Sequence, residues 1–282
     1  MKNYRNTFLK GLLAIAAIIV LFSSISRLFL LNSETLAEHA AKNSPSPTAA
    51  LTATPSPVDT PVPEDAYNIE ITPLPEPTED PAVQIMKKFY YAPLSEEQIE
   101  YITGCSYPKN EEHPAITYDD LSYVHILHYD FEGNLAEGEL ICNNYIAQDL
   151  IEIFYELYLN EYQLERVTLI ENYDGDDTLS MTDNNTSCFN YRVVDGTTNL
   201  SKHAYGLAID INPFYNPYVT YPGGKIRISP PGSEPYADRE ADFPYKIDEN
   251  DLCYKLFKEH GFTWGGDWNS SKDYQHFQKI IK

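Results

Sequence analysis

The sequence predicts an α+β fold with a small, mainly antiparallel sheet and flanking helices. Two observations carry this prediction. Apolar residues recur at helical spacing in the middle of the chain, and short alternating segments typical of strands lie before and after that stretch. A third observation limits the folded part to about residues 84–282, because the first 83 residues lack the pattern of a packed core.

The N-terminal 31 residues have the layout of a signal anchor or a signal peptide. Lys2, Arg5 and Lys10 precede an almost unbroken apolar run from residue 11 to 25, and no acid occurs before residue 33. We favour a retained single-pass anchor with a cytoplasmic N-terminus, because positive charges stay inside. The alternative is a cleaved signal and a secreted protein.

Residues 32–83 are rich in Pro, Thr and Ser, and ten of the chain's twenty prolines lie between Pro45 and Pro81. Such a composition cannot bury enough apolar surface to fold, so we expect a disordered linker.

The remaining residues, 84–282, form one predicted domain, which we expect to be a monomer. The chain is strongly acidic, with a net charge of −22, and its sequence shows no basic stripe of the kind that binds phosphates. This argues against nucleic acid as a partner.

Several elements of this domain follow from local patterns. Residues 95–98, Ser-Glu-Glu-Gln, form a capping box that opens a helix closed by Gly104. A hairpin is predicted over 121–142 with its turn at 132–134, followed by a helix whose apolar face contains residues 146, 150, 153, 154 and 157. Residues 167–170 predict a strand, 173–187 a loop, and 214–245 a long ordered loop near the site. Asp248 is expected to cap the last helix.

The four cysteines, Cys105, Cys142, Cys188 and Cys253, have no C-x-x-C spacing, which argues against a cysteine zinc site. Outside the cell they could form disulfides, although their pairing does not follow from sequence, and free buried thiols are an equal alternative.

Two histidines and an aspartate are the candidate metal ligands. His203, Asp210 and His276 combine imidazole and carboxylate groups, which suit zinc and leave a fourth position for water. A straight strand from His203 to Asp210 would span roughly 23 Å. The chain must therefore bend between them, and Gly206 tolerates such a bend.

The segment Ser201–Asp210 follows the pattern S-x-H-x-x-G-x-A-x-D, and Asp273 and His276 supply a later D-x-x-H. With residues 189–192 and 261–268, these motifs resemble the zinc D-alanyl-D-alanine carboxypeptidase and dipeptidase family, over roughly residues 115–282. The resemblance implies a zinc metallopeptidase that acts on peptidoglycan stem peptides outside the membrane.

The same resemblance assigns roles to individual residues. It implies that Asp273 is the general base that takes a proton from zinc-bound water, and that Arg192 polarises the scissile carbonyl. Ser201 and Arg192 would contact the substrate, although a surface ion pair for Arg192 and a turn-capping role for Ser201 are alternatives.

The resemblance favours a D-alanyl-D-alanine carboxypeptidase. An L-Ala-D-Glu endopeptidase, a D,D-dipeptidase or a non-catalytic zinc-containing wall-binding module stay open as alternatives.

Overall fold

The computed structural model describes residues 80–110 and 114–281. Within these ranges, small sheets and short helices alternate along the chain, so the predicted mixture of helix and antiparallel strand is confirmed. The predicted membrane segment 1–31 and most of the linker lie outside the described residues. Among the residues that are described, no helix combines the length and the apolar character needed to cross a bilayer.

The N-terminal half is built on one three-stranded antiparallel sheet in the order β1-β2-β3. Its elements are α1 (Pro81–Met86), β1 (Tyr90–Pro93), α2 (Glu96–Ile102), β2 (Leu121–Tyr129), β3 (Leu135–Asn143) and α3 (Asn144–Leu159), with a 3-10 turn at Tyr118–Asp120. The capping box at Ser95 opens α2 as predicted. The hairpin of β2 and β3 is also confirmed, and its returning strand begins earlier than expected, at Leu135.

Helix α3 packs on this sheet through its apolar face. The five apolar residues predicted for that face, Ile146, Leu150, Ile153, Phe154 and Leu157, are all buried. They join β2, β3 and the C-terminal segments in the main hydrophobic core, and a smaller cluster lies around Ile102 and Phe189.

Short elements make up the C-terminal half. They are β4 (Arg166–Val167), α4 (Asp177–Thr182), β5 (Asn185–Thr186), β6 (Ala208–Asp210), β7 (Tyr218–Thr220), β8 (Arg227–Ser229), α5 (Leu252–Glu259), β9 (Thr263–Trp264), β10 (Lys272–Asp273) and β11 (His276–Gln278). Turns of 3-10 helix occupy Ile170–Tyr173, His203–Tyr205, Pro222–Gly224, Glu234–Ala237 and Gly265–Asp267. Two three-stranded sheets, β6-β11-β9 and β10-β7-β8, contain the candidate site residues 210, 273 and 276.

Four local predictions need correction. The expected long loop over 214–245 contains strands β7 and β8, because these two segments pair antiparallel with Tyr218 opposite Ser229. The expected strand over 167–170 is limited to β4, because the chain turns into a 3-10 helix at Ile170. The expected loop over 173–187 contains helix α4, since the Asp176 side chain accepts a hydrogen bond from the Leu179 N–H and caps it. The last helix is capped by Asp251, not Asp248, as the Asp251 carboxylate accepts hydrogen bonds from the N–H groups of Cys253 and Tyr254.

All four cysteines are free thiols. Cys105 is exposed, while Cys142, Cys188 and Cys253 are buried in the folded chain.

Candidate metal centre and active site

The turn at Gly206 brings His203 and Asp210 together. His203 opens a 3-10 turn that ends at Gly206, whose φ of 63° lies in the left-handed region. A Cβ at Gly206 would stand 2.6 Å from the Asn143 backbone nitrogen, so this position has no room for a side chain. The bend predicted between the two residues is confirmed, and β6 then presents Asp210.

Strand pairing adds His276. In the antiparallel pair of β6 and β11, His276 lies directly opposite Asp210. Side chains of directly opposite residues point to the same face of a sheet with Cβ atoms roughly 5 Å apart. The C-terminal D-x-x-H segment therefore reaches the earlier motif through strand register.

His203, Asp210 and His276 form one compact, buried cluster. One potential ligand atom from each residue lies within 4.8 Å of the others. His203 Nε2 is 3.3 Å from Asp210 Oδ2 and 3.1 Å from His276 Nδ1, and His276 Nδ1 is 3.0 Å from Asp210 Oδ1.

The opposite ring nitrogens of both histidines are held by acceptors. His203 Nδ1 lies 2.6 Å from the carbonyl oxygen of Cys188, and His276 Nε2 lies 3.1 Å from Gln278 Oε1. Since an oxygen of either kind only accepts, each of these nitrogens donates, and the inward nitrogens His203 Nε2 and His276 Nδ1 carry lone pairs in the neutral rings. Two lone pairs and a carboxylate thus face one another, a donor set that a divalent cation such as zinc fits.

The electrostatics of the cluster also favour a cation. Burial opposes ionisation of Asp210. When His203 and His276 are protonated in place of binding a metal, their charges and hydrogen bonds outweigh burial and hold the pKa of Asp210 far below its usual value. Burial likewise opposes protonation of His203, yet the neighbouring Asp210 carboxylate raises the pKa of His203 above its usual value. The same interactions that attract a proton here would attract a metal ion.

Asp273 is buried next to this cluster. It lies in β10, opposite Tyr218 of β7, and its Oδ1 is buried without a hydrogen-bond partner among the described residues. Burial raises the pKa of Asp273 to about 8, and the positive charge of His276 opposes this rise. Gly265 makes the position possible, because a Cβ there would stand 2.7 Å from the Asp273 Cβ. A bound divalent cation nearby would favour the ionised carboxylate.

Arg192 and Ser201 are neighbours through the backbone, since the Ser201 N–H donates to the Arg192 carbonyl oxygen at 3.0 Å. The Ser201 hydroxyl accepts a hydrogen bond from the His203 N–H at 3.3 Å, which is the turn-capping arrangement. The Arg192 guanidinium pairs with Asp177, with Nη2 and Oδ2 2.7 Å apart. The roles of Ser201 and Arg192 toward a substrate stay predictions.

Two further residues of the site did not emerge from sequence. Asp177 stands in a polar stretch that has no motif, and only the fold of α4 brings it to Arg192. Gln275 is fully buried and its amide donates to Asp210 Oδ2 at 3.2 Å, which fixes the carboxylate orientation. In the sequence, only the position of Gln275 between Asp273 and His276 could have indicated that it belongs to the site.

Comparison with protein families agrees with this geometry. Residues 195–279 match the family model described as D-alanyl-D-alanine carboxypeptidase. The matched segment contains Ser201, His203, Asp210, Asp273 and His276, while Arg192 lies outside it. The match confirms the family resemblance predicted from the motifs over this segment, and it supports a peptidase. No curated protein and no solved structure matches the chain.

Proposed function

We propose that this chain is a zinc metallopeptidase that hydrolyses peptidoglycan stem peptides, with release of the terminal D-alanine as its main reaction. The observation that carries the proposal is the convergence of His203, Asp210 and His276, each buried and oriented, beside the buried Asp273. The matched family model supplies the D-alanyl-D-alanine chemistry.

His203, Asp210 and His276 would hold the metal. When bound, zinc acts as a Lewis acid toward a carbonyl oxygen and lowers the pKa of water to about 7. Asp273, whose Oδ1 has no hydrogen-bond partner among the described residues, would accept the proton of the attacking water and pass it to the leaving amine. Arg192 would donate hydrogen bonds to the oxygen on which negative charge develops.

An L-Ala-D-Glu endopeptidase is the second candidate. One feature of the motif favours it: an Asp at position 273 with His276-Phe277 after it resembles the endopeptidase branch of the family. Because both activities use the same metal and base, the experiment must identify the bond that is cut.

The function is tested by digesting purified cell wall with the full-length protein and identifying the products by mass spectrometry. We expect loss of terminal D-alanine from pentapeptide stems, abolished by a chelator and restored by added zinc. Products cut between L-Ala and D-Glu would support the endopeptidase instead. If the wall is bound but unchanged with zinc present, the protein is a wall-binding module and the proposed activity is wrong.

We also propose that the catalytic domain lies outside the cell on a membrane anchor. The Lys2, Arg5 and Lys10 cluster before the apolar run supports this location. Protease added to intact cells should release the domain by cutting the linker. Recovery of the released domain in the medium without protease would indicate a cleaved signal, and protection of the domain inside the cell would contradict this location.

A further inference from the structure

The ion pair of Arg192 and Asp177 lies beside the candidate metal centre. Its two side chains are about three-quarters buried, with exposed fractions of 29% and 25%. Asp177 is the first residue of α4, whereas Arg192 lies in the segment that leads through Ser201 to His203. The pair thus joins two segments at the edge of the site.

Pairing changes what Arg192 can offer a substrate. Asp177 lies 2.7 Å from the Arg192 guanidinium and already neutralises its charge. A second carboxylate, from a substrate, would therefore gain less binding free energy from the guanidinium. The guanidinium Nε is buried and has no hydrogen-bond partner among the described residues.

Two other cations of the C-terminal half are engaged as well. Lys272 Nζ donates to the Gly266 carbonyl oxygen at 2.9 Å. Arg227 pairs with Asp195 at 2.9 Å, in an exposed ion pair on the surface. Neither side chain is a free counter-charge for the terminal carboxylate of a peptide.

We propose that Asp177 is a specificity-determining residue, which neutralises Arg192 and so makes the site indifferent to the charge on the C-terminal side of the cleaved bond. Peptides that continue past that bond, or that end in an amide, are then accepted as well as peptides that end in a free carboxylate. The inference rests on the proposed peptidase function. Asp177 acts through Arg192 and is a positioning residue.

The test compares one synthetic peptide ending in D-Ala-D-Ala with the same peptide as its C-terminal amide. Binding of both is measured by calorimetry to zinc-loaded full-length protein carrying Asp273→Asn, so that the peptides are not consumed. Without a change at Asp177 we expect the two dissociation constants to agree within about threefold. With Asp177→Asn added, the ratio of the amide's dissociation constant to that of the free acid should rise by about tenfold or more. The reason is that the Arg192 guanidinium can then form a charge-assisted hydrogen bond with the terminal carboxylate.

Matched variants separate this effect from general damage. Asp195→Asn removes the same charge from another ion pair and should leave the ratio unchanged. Asp177→Glu restores the carboxylate and should restore the original ratio. Combining Asp177→Asn with Arg192→Gln should cancel the shift, since the effect passes through the guanidinium.

The results also distinguish failure of this inference from failure of the proposed function. Three results would overturn the inference. They are an unchanged ratio in Asp177→Asn, a strong preference for the free acid while Asp177 is still present, and failure of every variant to bind either peptide. If the ratio shifts as expected but the wild-type chain cleaves neither peptide, the role of Asp177 stands and the proposed peptidase activity is wrong.

Discussion

Replacing His203 with alanine should remove zinc from the protein. The purified full-length chain is expected to hold about one zinc, and the variant close to none, because two ligands that remain do not replace a three-ligand shell. Peptide hydrolysis should fall by on the order of 10³-fold or more, since the metal contributes several kcal/mol of transition-state stabilisation. Zinc content by elemental analysis and hydrolysis of a D-Ala-D-Ala peptide check both parts.

Two further variants make the result specific. Asp210→Asn keeps the shape of the side chain and should also weaken zinc binding. His260→Ala removes a histidine that pairs with Asp149 at 3.1 Å, away from the cluster, and should keep both zinc and activity. Full zinc content in His203→Ala would show that the cluster is not the metal site.

Asp273→Asn should reduce turnover while zinc stays bound. Asparagine keeps the size of the side chain and can donate a hydrogen bond, but it cannot accept the proton of the attacking water. Loss of a general base typically lowers the rate by about 10² to 10⁴. The measurement is kcat, KM and zinc content of the same preparation.

Asp267→Asn is the matched control for Asp273. Asp267 is an acid six residues earlier that pairs with Lys258 on the surface at 3.2 Å, so its loss should leave kcat unchanged. A near-wild-type kcat in Asp273→Asn would mean that another group is the base.

Most of the regular structure could be predicted where a pattern repeats several times. Helix α3 and the hairpin of β2 and β3 are long enough for apolar periodicity to mark them. Strands β4, β5, β9 and β10 have two residues each, too few for any period. Helix α4 was missed because its Asp, Thr and Ser residues favour loops and turns, and its Asp176 cap decides the structure.

The candidate site divides in the same way. The motif spacing indicated His203, Asp210 and His276, and the turn at Gly206 and the register of β6 with β11 confirm that they meet. Asp177 could not be predicted, because its partner Arg192 is fifteen residues away and their contact depends on how α4 docks. Gln275 was overlooked since glutamine is a poor metal ligand, and its role toward Asp210 appears only in three dimensions.

Zinc X-ray absorption spectroscopy on the full-length, zinc-loaded protein tests the central claim most directly, because it reports the atoms that bind the metal. The structure predicts two imidazole nitrogens and a carboxylate oxygen, with no sulfur in the coordination shell. A shell containing sulfur, which the four free cysteines could supply, or one with fewer than two imidazoles would contradict a His203, Asp210 and His276 zinc centre.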